Sequence, residues 1–136
     1  MTESKITVWG AVTPRALRVH WALEELGLDY SVQPIQSRTG ETQTDAYTAL
    51  NPKQKIPYLQ DGDFGISESA AILEYLFRTY GAGADVYVPE DAQAQAKSDE
   101  WSYFIMTELD AHTLYVMRRH GDLAEIYGDS PIAIAS

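Results

Sequence analysis

The sequence predicts an α/β domain with a mixed four-stranded sheet, followed by the opening of an all-α unit, and three observations carry that prediction. Short apolar runs around residues 5–9, 30–35, 56–59 and 64–66 have the length and spacing of strands. Between them, over 13–27 and 67–81, apolar residues recur at helical spacing between capping and stopping residues. Beyond residue 91 the strand pattern ends and helical periodicity continues to His120.

In chain order, Ile6 and Val8 alternate on one face of a first strand. A helix follows. Thr13 is suited to its N-cap, Pro14 to its first position, where a missing N–H costs nothing, and Gly27 to its stop. Leu17, Val19, Trp21, Ala22, Leu23 and Leu26 are expected to form its buried face. Tyr30, Val32 and Ile35 suggest a second strand, and the helical crossover is long enough for it to pair in parallel with the first. The polar stretch 37–50 has no clear period and reads as a mobile loop with room for one short helix.

Residues 56–59 and 64–66 flank Asp61-Gly62-Asp63, a tight turn that makes them antiparallel neighbours. The next helix has Ser67 as its expected cap, Ala70, Ile72, Leu73, Leu76 and Phe77 on its apolar face, and Gly81 at its end. Strand-helix-strand followed by strand-strand-helix is the order of a thioredoxin-like unit, here residues 1–81. Residues 82–90 read as a linker and 91–136 as the start of an all-α domain, incomplete within this chain. Trp101, Phe104, Ile105, Leu109, His112, Tyr115 and Val116 lie near one stripe of a helix of roughly thirty residues, about 45 Å long. Such a helix needs a partner for that stripe, which makes the chain a fragment or a shortened protein on this reading. Asp129-Ser130-Pro131 resembles the cap and first turn of a further helix.

Composition narrows the function. Ten Lys and Arg against twenty Asp and Glu give a net charge of -10, which disfavours nucleic acid and anionic membranes as partners. There is no cysteine, so a cysteine nucleophile, disulfides and thiolate metal ligands are excluded. His112 and His120 are too isolated to suggest a metal site. No apolar run reaches bilayer length and the N-terminus lacks the pattern of a signal peptide, so a cytoplasmic protein is expected.

The most informative run is Ile56-Pro57-Tyr58-Leu59, the turn, Phe64-Gly65-Ile66, and then Ser67-Glu68-Ser69-Ala70-Ala71-Ile72. An apolar-Pro step removes one backbone donor and is able to take the cis form, and a helix start with unpaired amides and a positive dipole end favours a carboxylate ligand. Each piece alone has a plainer reading, turn chemistry for Pro57 and helix capping for Ser-Glu-Ser. Taken in this order, together with Thr13-Pro14-Arg15-Ala16-Leu17-Arg18-Val19, they resemble the glutathione transferase family.

That resemblance implies a thioredoxin-like glutathione-binding domain, glutathione as cosubstrate, and homodimers. It maps the main chain of Ile56, before Pro57, onto the cysteinyl part of glutathione, Glu68 and Ser69 onto its γ-glutamyl end, and Lys55 onto a neighbouring polar contact. Counting back from Arg18-Val19 places Thr13 at the family's catalytic Ser position, where its hydroxyl would donate to the thiolate, with Arg15 as a weaker cationic neighbour. Lowering a thiol from its reference pKa of about 8.5 by two units corresponds to about 2.7 kcal/mol, and one charge-assisted hydrogen bond supplies roughly 1.5 to 3 kcal/mol. Thr13 before Pro14 is equally an ordinary N-cap, and that alternative stays open. The resemblance directs attention to Val12, Tyr103, Met106 and Tyr115 for the second substrate; His20, within the first helix, reads as a packing or surface residue. The expected reaction is conjugation of glutathione thiolate to a small apolar electrophile. The alternatives are a non-catalytic glutathione-binding or structural protein of the same fold, or a glutathione-dependent peroxidase, isomerase or dehalogenase.

Overall fold

Ile6 and Val8 project to the same side of β1 (Ile6–Trp9) and both are buried, which commits one face of the first strand to a core. The computed structural model describes residues 5–131. β2 (Tyr30–Gln33) runs parallel to β1, with Tyr30 opposite Ile6 and Val32 opposite Val8. On the other side β3 (Tyr58–Asp61) is antiparallel to β1, and β4 (Phe64–Ser67) is antiparallel to β3. The order β2-β1-β3-β4 makes the mixed sheet of a thioredoxin-like domain, as the sequence predicts. The β3–β4 turn closes through Gly62, whose φ of +59 a side chain would resist and whose N–H donates to the Lys5 carbonyl.

The core lies between this sheet and two helices, α1 (Pro14–Glu25) and α3 (Ser69–Tyr80). Val19, Ala22 and Leu23 from α1 meet Ile72 and Leu76 from α3 over Ile6, Val8 and Leu59. Two residues expected on the buried face of α1 are on its outer side instead: Leu17 is 60% and Trp21 64% exposed. Ala16, Val19 and Leu23 stand at i, i+3 and i+7, and once that stripe meets the sheet, Leu17 and Trp21, four apart from each other, fall outside it. Trp21 Nε1 donates to Glu25 Oε1 at 2.8 Å.

The stretch 37–50 is built rather than open. A 3₁₀ turn (Glu41–Gln43) leads to α2 (Asp45–Leu50), capped by Thr44 Oγ1, which accepts from Tyr47 N. Tyr47 is buried and its ring lies 5.7 Å from that of Trp9, so α2 sits on the sheet face opposite α1 and α3. Strand limits also shift: β3 begins at Tyr58, after the proline, and β4 runs on through Ser67.

Asp61, at the end of β3, is buried and gathers three donors. Lys5 Nζ lies 2.9 Å from Oδ1, Tyr75 OH donates to Oδ2 at 2.7 Å, and Tyr80 OH donates to the same oxygen. Burial pushes the Asp61 carboxyl upward, but the bonds from Tyr80, Lys5 and Tyr75 outweigh it and hold it below the usual carboxylate range. Burial, and then donation to Asp61, pushes the Tyr75 hydroxyl up to about 12. This cluster ties the start of β1 and the end of β3 to the outer half of α3.

The chain divides into two units, residues 1–88 and 89–136. Segment 82–88, expected as linker, packs in part on the first unit: a Cβ on Gly81 would stand 2.9 Å from a Val88 methyl and 3.0 Å from a Val86 methyl. The second unit is helical. Asp91 Oδ1 accepts from Gln93 N and Ala94 N to start α4 (Ala92–Phe104). The helix continues through a π-helical stretch (Ile105–Leu114) into α5 (Tyr115–His120), and Gly121 caps it as expected. A short α6 (Ala124–Tyr127) follows. The further helix expected after Asp129-Ser130-Pro131 lies almost wholly outside the described residues. Among the described residues no helix is long and apolar enough to cross a membrane.

Candidate functional site

Three backbone segments meet at one end of the sheet. The first is the bend ahead of β3. Tyr47 OH and Asn51 Nδ2 both donate to the Lys55 carbonyl, at 2.6 and 2.8 Å, which fixes the chain as it enters the cis Ile56–Pro57 peptide. The Lys55 side chain is exposed and Pro57 is buried. No hydrogen bond among the described residues engages the main chain of Ile56.

The second segment is the loop from β1 to α1. Gly10 has φ +104 and lies directly on Ile56: a Cβ there would stand 2.7 Å from the Ile56 Cβ. Only glycine permits both this backbone and this approach. Gly10 N donates to the Gln33 carbonyl at 2.9 Å, and its own carbonyl lies 2.9 Å from His20 Nε2. Three residues on, Thr13 is partly exposed and caps α1, its Oγ1 accepting from Ala16 N at 3.1 Å. That bond uses a lone pair and leaves the hydroxyl proton to donate elsewhere.

The third segment is the start of α3, which departs from the sequence expectation. Ser67 does not cap the helix; it ends β4, and Glu68 stands at the N-cap without a capping side-chain bond. Glu68 has φ +75, a region that costs a residue with a side chain about 1 to 3 kcal/mol and that clusters at binding sites. Its carboxylate is exposed and pairs with Lys53 Nζ at 3.0 Å, and the same ammonium donates to Ser67 Oγ at 3.0 Å. Ser69 is 4% exposed, and Arg18 Nη1 from α1 donates to its Oγ at 3.1 Å. The Ser69 proton is therefore directed away from Arg18, beside the first free amides of α3.

Of the residues singled out in the sequence, the structure places Ile56 against the Gly10 loop that leads to Thr13, and Glu68 beside Ser69 at one helix start. Lys55 contributes its carbonyl to the scaffold, whereas Lys53 is the lysine that reaches Glu68. Lys53, the contact of Arg18 with Ser69 and the contact of His20 with Gly10 were not legible in the sequence; the residue types were visible but the pairings span 10 to 51 positions. Val12 and Tyr103 are exposed and Met106 and Tyr115 are half-buried, Val12 in the first unit and the others in the second. A shallow depression along α3, lined by Ala71, Glu74, Tyr75, Arg78 and Thr79, includes none of the site residues.

A thioredoxin-like sheet with a cis-proline bend against the loop to α1, and an acid-hydroxyl pair opening α3, defines the class of domain to which this unit belongs. The chain belongs to the glutathione S-transferase family: residues 4–78 match its N-terminal domain. It is 37% identical over 101 residues to the glutathione S-transferase-like protein gedE of Aspergillus terreus, a match covering 73% of this chain and 44% of that one. It is 47% identical over 74 residues to human glutathione S-transferase theta-1, covering 54% of this chain and 30% of the relative. The crystal structure of the theta class glutathione S-transferase from Xanthomonas axonopodis pv. citri with glutathione bound superposes with a TM-score of 0.82 at 28% identity, over 97% of this chain and 62% of that one. The matched segment thus spans less than half the length of these two curated relatives.

Proposed function

We propose that the chain binds glutathione at the meeting of these three segments and presents its thiolate to a small, largely apolar electrophile. The reading is supported above all by the seating of Gly10 on Ile56, in the loop that leads to Thr13, beside a main chain that no hydrogen bond among the described residues engages. The γ-glutamyl carboxylate would take the Ser69 proton and the amides opening α3, and Glu68 would receive the ammonium group. Ile56 would pair with the cysteinyl main chain, Pro57 would set its direction, and the exposed Lys55 would reach the remaining carboxylate. The Thr13 hydroxyl would donate to sulfur. In the reaction the sulfur lone pair forms the C–S bond, and the displaced group leaves with the electrons of the bond it breaks. On this reading the chain would act in detoxification, in the cytoplasm and as a homodimer.

Calorimetry tests the site. Parent protein is expected to bind glutathione, and Glu68→Ala with Ser69→Ala is expected to weaken it about 100-fold, the equivalent of two lost polar contacts. Unchanged affinity would move the site elsewhere. Turnover of a general thiol-reactive electrophile separates a transferase from a binding protein.

A further inference from the structure

Lys53 stands on a fixed turn. Asn51 is buried, and its Oδ1 accepts from Lys53 N at 3.2 Å while its Nδ2 donates to the Lys55 carbonyl at 2.8 Å. From this base the Lys53 side chain reaches the opening of α3, 14 to 15 positions further along the chain. There its ammonium group donates to Glu68 Oε1 at 3.0 Å and to Ser67 Oγ at 3.0 Å, bridging the last residue of β4 and the N-cap of α3. Glu68, the carboxylate proposed to receive the ammonium group of a γ-glutamyl end, thus carries an ammonium partner from the protein's own chain.

We propose that Lys53 is a specificity-determining residue of the glutathione site: by pairing with Glu68 it takes the place of the ligand's own ammonium group, so the site also accepts thiol peptides whose γ-glutamyl end lacks a free amine. The inference rests on the proposed glutathione site and names a further class of ligand for it. A γ-glutamyl end brings an ammonium and a carboxylate on one carbon, and it exchanges partners with the pair: its ammonium goes to Glu68, and the displaced Lys53 turns to its carboxylate. A glutaryl end brings the carboxylate alone. With Lys53 on Glu68 the pair is neutral, and that carboxylate meets Ser69 and the amides opening α3 with no like charge beside it. Without Lys53, the bare Glu68 carboxylate repels a glutaryl end and still welcomes an ammonium group. The two side chains of the pair are 54% and 66% exposed, so each such change is worth only a few-fold in affinity.

Calorimetry with two ligands tests this: glutathione, and glutaryl-cysteinylglycine, which is glutathione without its amine. Parent protein is expected to bind both, with dissociation constants within about tenfold of each other. Lys53→Met keeps the apolar stem and removes the charge; it is expected to keep or raise the affinity for glutathione and to weaken the analogue about fivefold, widening the ratio of the two constants. Lys53→Arg restores the charge and is expected to return that ratio to the parent's. Lys55→Met removes an equal charge from an exposed side chain proposed to reach the other carboxylate, which both ligands share, so it is expected to weaken both alike. A ratio that Lys53→Met leaves unchanged would overturn the inference, and so would Lys53→Arg behaving as Lys53→Met or a parent that binds glutathione but not the analogue. A ratio that Lys55→Met widens as much as Lys53→Met does would overturn it too, because the effect would then be one of general charge. In each of these outcomes the glutathione site itself stands. A parent that binds neither ligand would instead refute that site and the inference with it.

Discussion

At Thr13 the cap and the proposed chemistry draw on different parts of one hydroxyl: the oxygen accepts from Ala16 N, and the proton is left to donate to sulfur. Thr13→Ser keeps both and is expected to retain or raise turnover. Thr13→Val keeps the shape and loses both; helix capping falls by about 1 kcal/mol and the pKa of bound thiol rises by one to two units, read in an ultraviolet thiolate titration. A titration identical to the parent's would leave Thr13 a cap only. Asp61 allows a second residue-scale prediction. Its carboxyl lies below the ordinary range in the fold, against about 3.9 in the unfolded chain, so it stabilises fully above pH about 4, and that contribution is lost as pH falls through the folded value. Tyr75 works at the other end: raised to about 12, it contributes stability that is intact below its unfolded pKa of about 10 and is lost as pH rises through 12. Asp61→Asn is expected to cost about 1.5 to 3 kcal/mol at neutral pH in urea unfolding, and the gap to the parent should narrow below pH about 4. A gap that is constant with pH would mean that Asp61 acts through shape alone.

At the scale of elements, α1 shows what a single sequence fixes and what it does not. Its ends were legible because Thr13, Pro14 and Gly27 act on amides within a few residues of themselves. Its buried side was legible in part: Val19, Ala22 and Leu23 are buried as expected but Leu17 and Trp21 are not, because apolar residues occur all round the helix and the sheet selects among them. Leu23→Ala is therefore expected to cost about 2 to 5 kcal/mol and Leu17→Ala under about 0.5 kcal/mol, by denaturant midpoint at constant m-value; equal losses would place Leu17 in the core. The α2 stretch was legible only as room for one short helix within a loop, without its limits, because six residues with one buried side chain, Tyr47, are too few to show a period. The site divides the same way. Ile56-Pro57 and Glu68-Ser69 stand out as short motifs, whereas Lys53, Arg18 and His20 acquire their roles only through partners that the fold brings close. Gly10 is the joint of these elements. Gly10→Ala forces a side chain into Ile56 at φ +104, so a loss of about 1 to 3 kcal/mol in stability and a clear weakening of glutathione binding are expected. A variant that kept parental stability and affinity would show that the loop has room to move off Ile56.

For the whole molecule the question is how the apolar surface of the second unit is covered. Trp101, Phe104, Ile105 and Leu109 are 62%, 45%, 41% and 44% exposed along one continuous helix, and the Trp101 and Phe104 rings already contact each other at 6.0 Å. Burying such side chains is worth about 1.5 to 3 kcal/mol each, enough to drive association of two copies. A net charge of -10 on each copy opposes it, and salt screens that repulsion over about 10 Å at 0.1 M. Light scattering is therefore expected to show a dimer or larger species that strengthens as salt rises, and Trp101→Ala is expected to shift the equilibrium toward monomer. A monomer at every salt concentration, with fluorescence of Trp101 typical of a solvent-exposed indole, would contradict association. Weaker association at high salt would show that the contact is made by charged groups instead of this stripe.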